Sequence, residues 1–188
     1  MTAQGFFPKE LKEQEPGVFI LDGKSTAFKT TISGEKKLKI ILEQSSSLDI
    51  EFILENPGAS LDFTSICNAK NSEIQKINLS VIHSAPNTTS FVRSKGAAFD
   101  SASIELKALA RVGKNATGSK SRVECRALLL GKQAKAKADP VLEILDNDVE
   151  CSHAASVKEI DKNQIFYLQT RGLSEKESEE LIVEGFLQ

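Results

Sequence analysis

The stretch Asp148-Val149-Glu150-Cys151-Ser152-His153-Ala154-Ala155 sets a thiol and one of only two histidines two residues apart. Side chains alternate along a strand, so Val149, Cys151, His153 and Ala155 share one face, opposite Asp148, Glu150 and Ser152. A soft, deprotonatable sulfur beside an imidazole suits metal ligation or redox chemistry. Two ligands fall short of the four that a closed zinc site needs, so the rest must come from a third strand or a second copy of the chain. Cys125 is the natural third member. It lies in Ser121-Arg122-Val123-Glu124-Cys125-Arg126-Ala127-Leu128-Leu129-Leu130-Gly131, where Val123, Cys125, Ala127 and Leu129 alternate with Arg122, Glu124 and Arg126. Taken alone, Cys125 also reads as a small core hydrophobe, a common fate of free cysteines. Cys151 and His153 likewise read as a buried thiol and a histidine bonded to backbone.

Other chemistry is sparse. Cys67 and His83 stand in separate strand candidates without companions and read as structural or surface residues. Acidic residues are dispersed, with no paired carboxylates of the kind a glycosidase or lyase needs. Gly113-Lys114-Asn115-Ala116-Thr117-Gly118-Ser119-Lys120 has the residue types of a phosphate loop without its spacing, so nucleotide hydrolysis is not expected. Lys132, Lys135 and Lys137 read as a solvated basic loop.

The elements that must position these residues are mostly short strands. Candidates are 18–21, 28–32, 38–42, 48–54, 60–67, 73–83, 89–95, 101–110, 120–130 and 141–145. Leu48, Ile50, Phe52 and Leu54 oppose Asp49, Glu51 and Glu55, a clean two-residue period. Ile74, Ile77, Leu79 and Val81 break that period, which predicts a bulge near Gln75 or Lys76. Turn signals such as Asp22-Gly23, Asn56-Pro57-Gly58 and Ala85-Pro86-Asn87 punctuate the runs. Many short strands without intervening helices mean a sandwich, a barrel or a solenoid, and no strict repeat selects among them.

The period changes at the C-terminus. Asp161-x-x-Gln164 and Ser174-x-x-Glu177 are capping arrangements, and Gly172 sits where a C-terminal cap belongs. Two short helices are expected there, the second with Leu181, Ile182, Gly185 and Phe186 along one face. The segment 6–11 reads equally as a brief helix or a loose strand. The expected organisation is an N-terminal segment (1–16), a β core (17–158) and a C-terminal helical region (159–188).

The chain has 188 residues and a net charge of -2. That balance gives no global push toward nucleic acid or an anionic membrane. No apolar run approaches the ~20 residues that span a bilayer. The N-terminus lacks a secretory pattern, and three cysteines without framework spacing argue against a disulfide scaffold. A reducing cytoplasm is the expected setting.

With these residues laid out, the chain from about Asn87 onward resembles the SufB/SufD family of iron–sulfur cluster assembly proteins. The matching stretches include Lys95-Gly96, Leu128-Leu129-Leu130-Gly131, Ala138-Asp139-Pro140-Val141-Leu142-Glu143-Ile144, Cys151-Ser152-His153, Phe166-Tyr167-Leu168, Thr170-Arg171-Gly172-Leu173-Ser174 and Ile182-Val183-Glu184-Gly185-Phe186. The resemblance implies a right-handed parallel β-helix with a small C-terminal helical region. Cys125 matches the SufB cysteine implicated in cluster assembly, and His153 matches the SufD histidine at the shared site. Ala154 stands where SufB has an acid. The family's helical N-terminal region and much of its early β-helix have no counterpart here.

Several expectations follow from the resemblance. The chain would be an assembly scaffold rather than an enzyme, pairing through its β-helix as a homodimer or with a SufB/SufD paralogue. Phe166, Tyr167, Arg171, Leu181 and Phe186 would dock a SufC-like ABC ATPase, the seat of any ATP hydrolysis. A transient iron–sulfur cluster would form on Cys125 and His153, with Cys151 a weaker ligand or persulfide candidate. Sulfur would come from a cysteine desulfurase system, and whether a reduced flavin takes part stays open. One alternative is a partner subunit that docks the ATPase without building a cluster; another is an unrelated β-solenoid binding module or lyase.

Overall fold

A computed structural model describes residues 7–188. Twelve strands and two helices follow one another: β1 Leu11–Glu15, β2 Val18–Asp22, β3 Ser25–Thr31, β4 Glu35–Glu43, β5 Ser47–Leu54, β6 Ser60–Ala69, β7 Ile74–His83, β8 Thr89–Ala98, β9 Ser103–Val112, β10 Lys120–Leu129, β11 Lys135–Ile144, β12 Glu150–Glu159, α1 Lys162–Thr170 and α2 Glu175–Leu187. From β2 on, successive strands alternate between two sheets. Sheet A runs β1-β2-β4-β6-β8-β10-β12 and sheet B runs β11-β9-β7-β5-β3. Except for the antiparallel β1–β2 pair, every ladder is parallel. The chain is therefore a parallel β-solenoid of about four turns.

The sequence hides this repeat because each coil repeats a position, not a residue. Ser60 aligns with Thr89, Thr89 with Lys120 and Lys120 with Glu150. One inward column reads Leu38, Phe63, Val92, Val123, His153, and the next reads Ile40, Ser65, Ser94, Cys125, Ala155. Neither size nor polarity is kept along a column; what recurs is the inward position. Phe52 and Phe63 face each other across the sheets at 5.0 Å between ring centroids, both fully buried. Gly96 is set by close approach, since a β-carbon there would meet Ile104 Cδ1 at 2.5 Å.

Buried hydroxyls are satisfied by stacking. Ser65 and Ser94 bond at 2.9 Å, Ser90 and Ser121 at 2.8 Å, and Thr88 and Ser119 at 2.8 Å. His83 is not without companions: its Nδ1 meets Thr88 Oγ1 and its Nε2 meets Ser90 Oγ, each at 2.8 Å. Burial lowers its pKa to about 4, so the ring is neutral near pH 7.

Two local expectations need correction. No bulge interrupts β7, which pairs in continuous register with β9. Gln75 takes the inward place and donates Nε2 to the Gln44 carbonyl at 2.7 Å, leaving Ile74 outside and 51% exposed. Lys135 and Lys137 are not in a loop but in β11, where Lys137 reaches Glu105 and Asp139 at 3.8 and 3.6 Å. As expected, Leu181, Ile182, Gly185 and Phe186 of α2 line one cleft. Ser178 and Val183 are buried, Ile182, Phe186 and Leu187 pack against Ala97 and Leu128, and Leu181 stays exposed.

The helix ends form as their capping residues dictate. Asp161 accepts from the Asn163 amide, Ser174 and Glu177 close a reciprocal capping box, and Gly172 has φ +95°. At the other end, Leu11 opens a strand; residue 6, where the helix-or-strand reading began, lies outside the described residues.

A thiol and an imidazole at the open end of the solenoid

β11 and β12 are the last strands of their sheets. Lys135 N donates to Ala102 O and Leu145 N to Val112 O, so the odd-numbered amides of β11 point toward β9. N–H and C=O of one residue point the same way in a parallel strand, so the even-numbered residues of β11 present theirs to the open edge. Pro140 is one of them, where its missing N–H breaks no ladder bond. On β12, Glu150 N bonds Ser119 O and Ile160 N bonds Leu129 O. Cys151, His153, Ala155 and Val157 accordingly offer their backbone groups to the same open end.

Cys125 and His153 lie on adjacent strands and the same face. Cys125 is abreast of Ala155, and His153 is abreast of Val123. One strand across and two residues along puts their Cα atoms roughly 8 Å apart. Both reach one dipeptide of β11. His153 Nδ1 lies 3.2 Å from the Pro140 carbonyl, and the Cys125 thiol feels the Asp139 backbone. A carbonyl only accepts, so Nδ1 carries the proton and the lone pair sits on Nε2 of an exposed ring. Metal-binding histidines are commonly oriented by such a bond.

The two side chains differ in readiness. Cys125 is fully buried beneath β11. Burial pushes its thiol up to about 12, opposed by the Asp139 backbone hydrogen bond and reinforced by the Asp139 carboxylate. It is a covered thiol, not a poised nucleophile. Cys151 is half-buried and also raised by desolvation, against a Ser121 backbone hydrogen bond. It aligns with Ser121, four residues before Cys125, or roughly 13 Å along the strand. Cys125 and Cys151 therefore do not share a site within one chain. Cys67, fully buried with its thiol raised by desolvation, belongs to the core. Among the described residues, no group of three or more His, Cys, Asp or Glu side chains could hold a metal.

The residues expected to dock a partner cluster on the helices. Phe166, Tyr167 and Leu181 are 68%, 57% and 48% exposed. The Arg171 guanidinium lies 5.3 Å from the Tyr167 ring centre. Tyr167, Leu168, Leu181, Ile182, Gly185 and Phe186 line most of a shallow apolar cleft of about 690 Å³. What sequence reasoning missed is the Asp139–Pro140 dipeptide, which brings thiol and imidazole together. Its signal was a proline inside a strand-like run, the mark of an edge position. No helix among the described residues is long and apolar enough to cross a membrane.

These features define a class: a parallel β-solenoid with unprotected terminal strands and a thiol and an imidazole near its open end. The chain belongs to the SufBD family, since the family described as "SUF system FeS cluster assembly, SufBD core domain" matches residues 39–186. Iron-sulfur cluster assembly SufBD family proteins of Staphylococcus saprophyticus, Staphylococcus epidermidis and Staphylococcus aureus are each 32% identical to it over 136 residues. Each alignment covers 72% of this chain and 29% of the relative, so the chain spans under a third of those relatives' length.

Proposed function

We propose that the chain is a scaffold subunit of a SUF-type assembly system that pairs through its open end and holds the nascent cluster in the seam. The observation that carries this reading is the shared approach of Cys125 and His153 to Asp139–Pro140, beside two strands with bare edges. Exposed parallel edges are templates for pairing. Val141, Ile144, Leu145 and Val157, 37 to 51% exposed, add apolar surface at the same end. A two-fold axis would set β12 antiparallel to its copy and double the ligand set. That supplies what one chain lacks.

In this reading the cluster is cargo. The imidazole Nε2 is available from the start, whereas Cys125 becomes a ligand only when β11 shifts and its thiol loses a proton. The exposed aromatic residues of α1 and α2 would bind the ATPase whose nucleotide cycle drives that shift, and a persulfide carrier would deliver sulfur. The partner chain is an identical copy or a paralogue.

The test is spectroscopic. Protein reconstituted anaerobically with ferrous iron and sulfide, then reduced, should show a ¹⁴N coupling in pulsed electron paramagnetic resonance that His153→Ala removes. Sedimentation should show the mass doubled, with an identical or a paralogous partner supplied. A cluster lacking nitrogen coupling, or loaded on a monomer, contradicts the proposal. An ATPase-docking subunit without a cluster is the second reading, favoured by the complete burial of Cys125.

A further inference from the structure

The outward face of sheet A concentrates positive charge on a chain whose net charge is -2. Register places three columns side by side. They are Lys37–Asp62–Phe91–Arg122, Lys39–Thr64–Arg93–Glu124 and Ile41–Ile66–Lys95–Arg126, across β4, β6, β8 and β10. These columns set six cations against two carboxylates on a patch roughly 14 by 13 Å, bordered at Lys39 by Glu180 and Glu184 of α2. The two carboxylates of the columns are already engaged. Asp62 pairs with Arg93, and buried Glu124 pairs with Arg122 at 2.5 Å and Arg126 at 3.0 Å. Among the described residues, Lys37 and Lys39 have no ion pair, and Lys95 donates to a main-chain oxygen of Gln188 at 3.0 Å. The buried Nε of Arg93 has no hydrogen-bond partner. Lys95 is held below its usual range, first by burial and then by Arg93, Arg126 and Lys39.

The arginines are also preorganised. The guanidinium carbons of Arg93 and Arg122 lie 4.2 and 5.6 Å from the Phe91 ring centre. Stiff arginines around an aromatic ring are the composition of a protein-interface centre, where ordering costs least. Nucleic acid fits poorly. The sheet offers no groove, and the Phe91 ring is occupied by guanidinium groups and closed to base stacking.

We propose that this face docks a carboxylate-rich protein surface, separately from the thiol–imidazole end and from the apolar cleft on the helices. The probe is a fluorescent decaglutamate peptide, read by anisotropy at 50 and 300 mM salt against a ten-residue oligothymidylate. Lys37→Glu/Lys39→Glu changes exposed and half-buried lysines that pair with nothing, so the fold should survive, and Arg126→Gln is a second variant. The expected result is salt-sensitive peptide binding weakened at least tenfold by the double variant. A control, Lys114→Glu/Lys132→Glu in the turns around β10, should change it less than twofold. Equal losses in both variants, tighter binding of the oligonucleotide, or no peptide binding at 50 mM salt each overturn the proposal. Iron loading should be unchanged in the charge variants, which separates this outcome from the fate of the scaffold reading.

Discussion

Cys125 presents a contradiction that alkylation kinetics can resolve. The reading that makes it a ligand needs a thiolate, yet its thiol is fully buried and pushed up to about 12. At pH 8 an ordinary thiol near 8.5 is about a quarter ionised, whereas one at about 12 is ionised to about one part in ten thousand. Ionisation alone therefore slows alkylation of Cys125 roughly 2,500-fold relative to a free thiol, and steric cover by β11 slows it further. Iodoacetamide labelling of the native chain, quenched over time and mapped by mass spectrometry, should modify Cys151 first and leave Cys125 and Cys67 unmodified. Pro140→Gly should loosen the cover and speed Cys125 selectively, with Cys67 still silent. Modification of Cys125 in the unaltered chain at within tenfold of the Cys151 rate would refute the covered-thiol account.

Three further outcomes follow from the same geometry. Stability should depend on pH through His83, whose folded pKa of about 4 lies below its unfolded value of about 6.5. The contribution is complete above the unfolded value and is lost as pH falls toward the folded one. Urea unfolding should show about 2 kcal/mol less stability at pH 5 than at pH 7.5 from this group, a difference that His83→Gln abolishes; an unchanged pH dependence would contradict a neutral buried ring. Phe63→Ala should cost about 3–5 kcal/mol in urea unfolding, since the ring is fully buried against Phe52; a loss under 1 kcal/mol would mean the two sheets are loosely packed. Phe166→Ala/Tyr167→Ala should weaken binding of a SufC-like ATPase at least tenfold in surface plasmon resonance while leaving thermal unfolding within a few degrees, and unaltered binding would place the dock elsewhere.

Legibility in the sequence tracked how completely a residue's surroundings are local. β5 alternates cleanly because one face meets the core along the whole strand. Caps at Asp161 and Ser174 were readable because both partners lie within one turn. Lys135 and Lys137 at the start of β11 read as a basic loop because the inward residues beside them, Ala136 and Ala138, are small. At the end of a solenoid only one neighbour enforces the pattern. Ile74 and Gln75 deceived for a different reason: a glutamine can occupy an inward place when a carbonyl from the previous coil, Gln44 O, receives its amide. The face of α2 is legible from helical spacing, since Leu181, Ile182, Gly185 and Phe186 line one cleft. The pairing of Cys125 with His153 was suggested by residue type, but only the ladder between β10 and β12 supplies the diagonal relation.

Iron and acid-labile sulfide per chain, measured after anaerobic reconstitution of the unaltered protein beside Cys125→Ser, test the scaffold reading most directly. The unaltered protein should turn brown and retain both elements through gel filtration, and the serine variant should lose most of each. Equal retention by the two proteins would contradict the account and leave Cys125 as a packing residue.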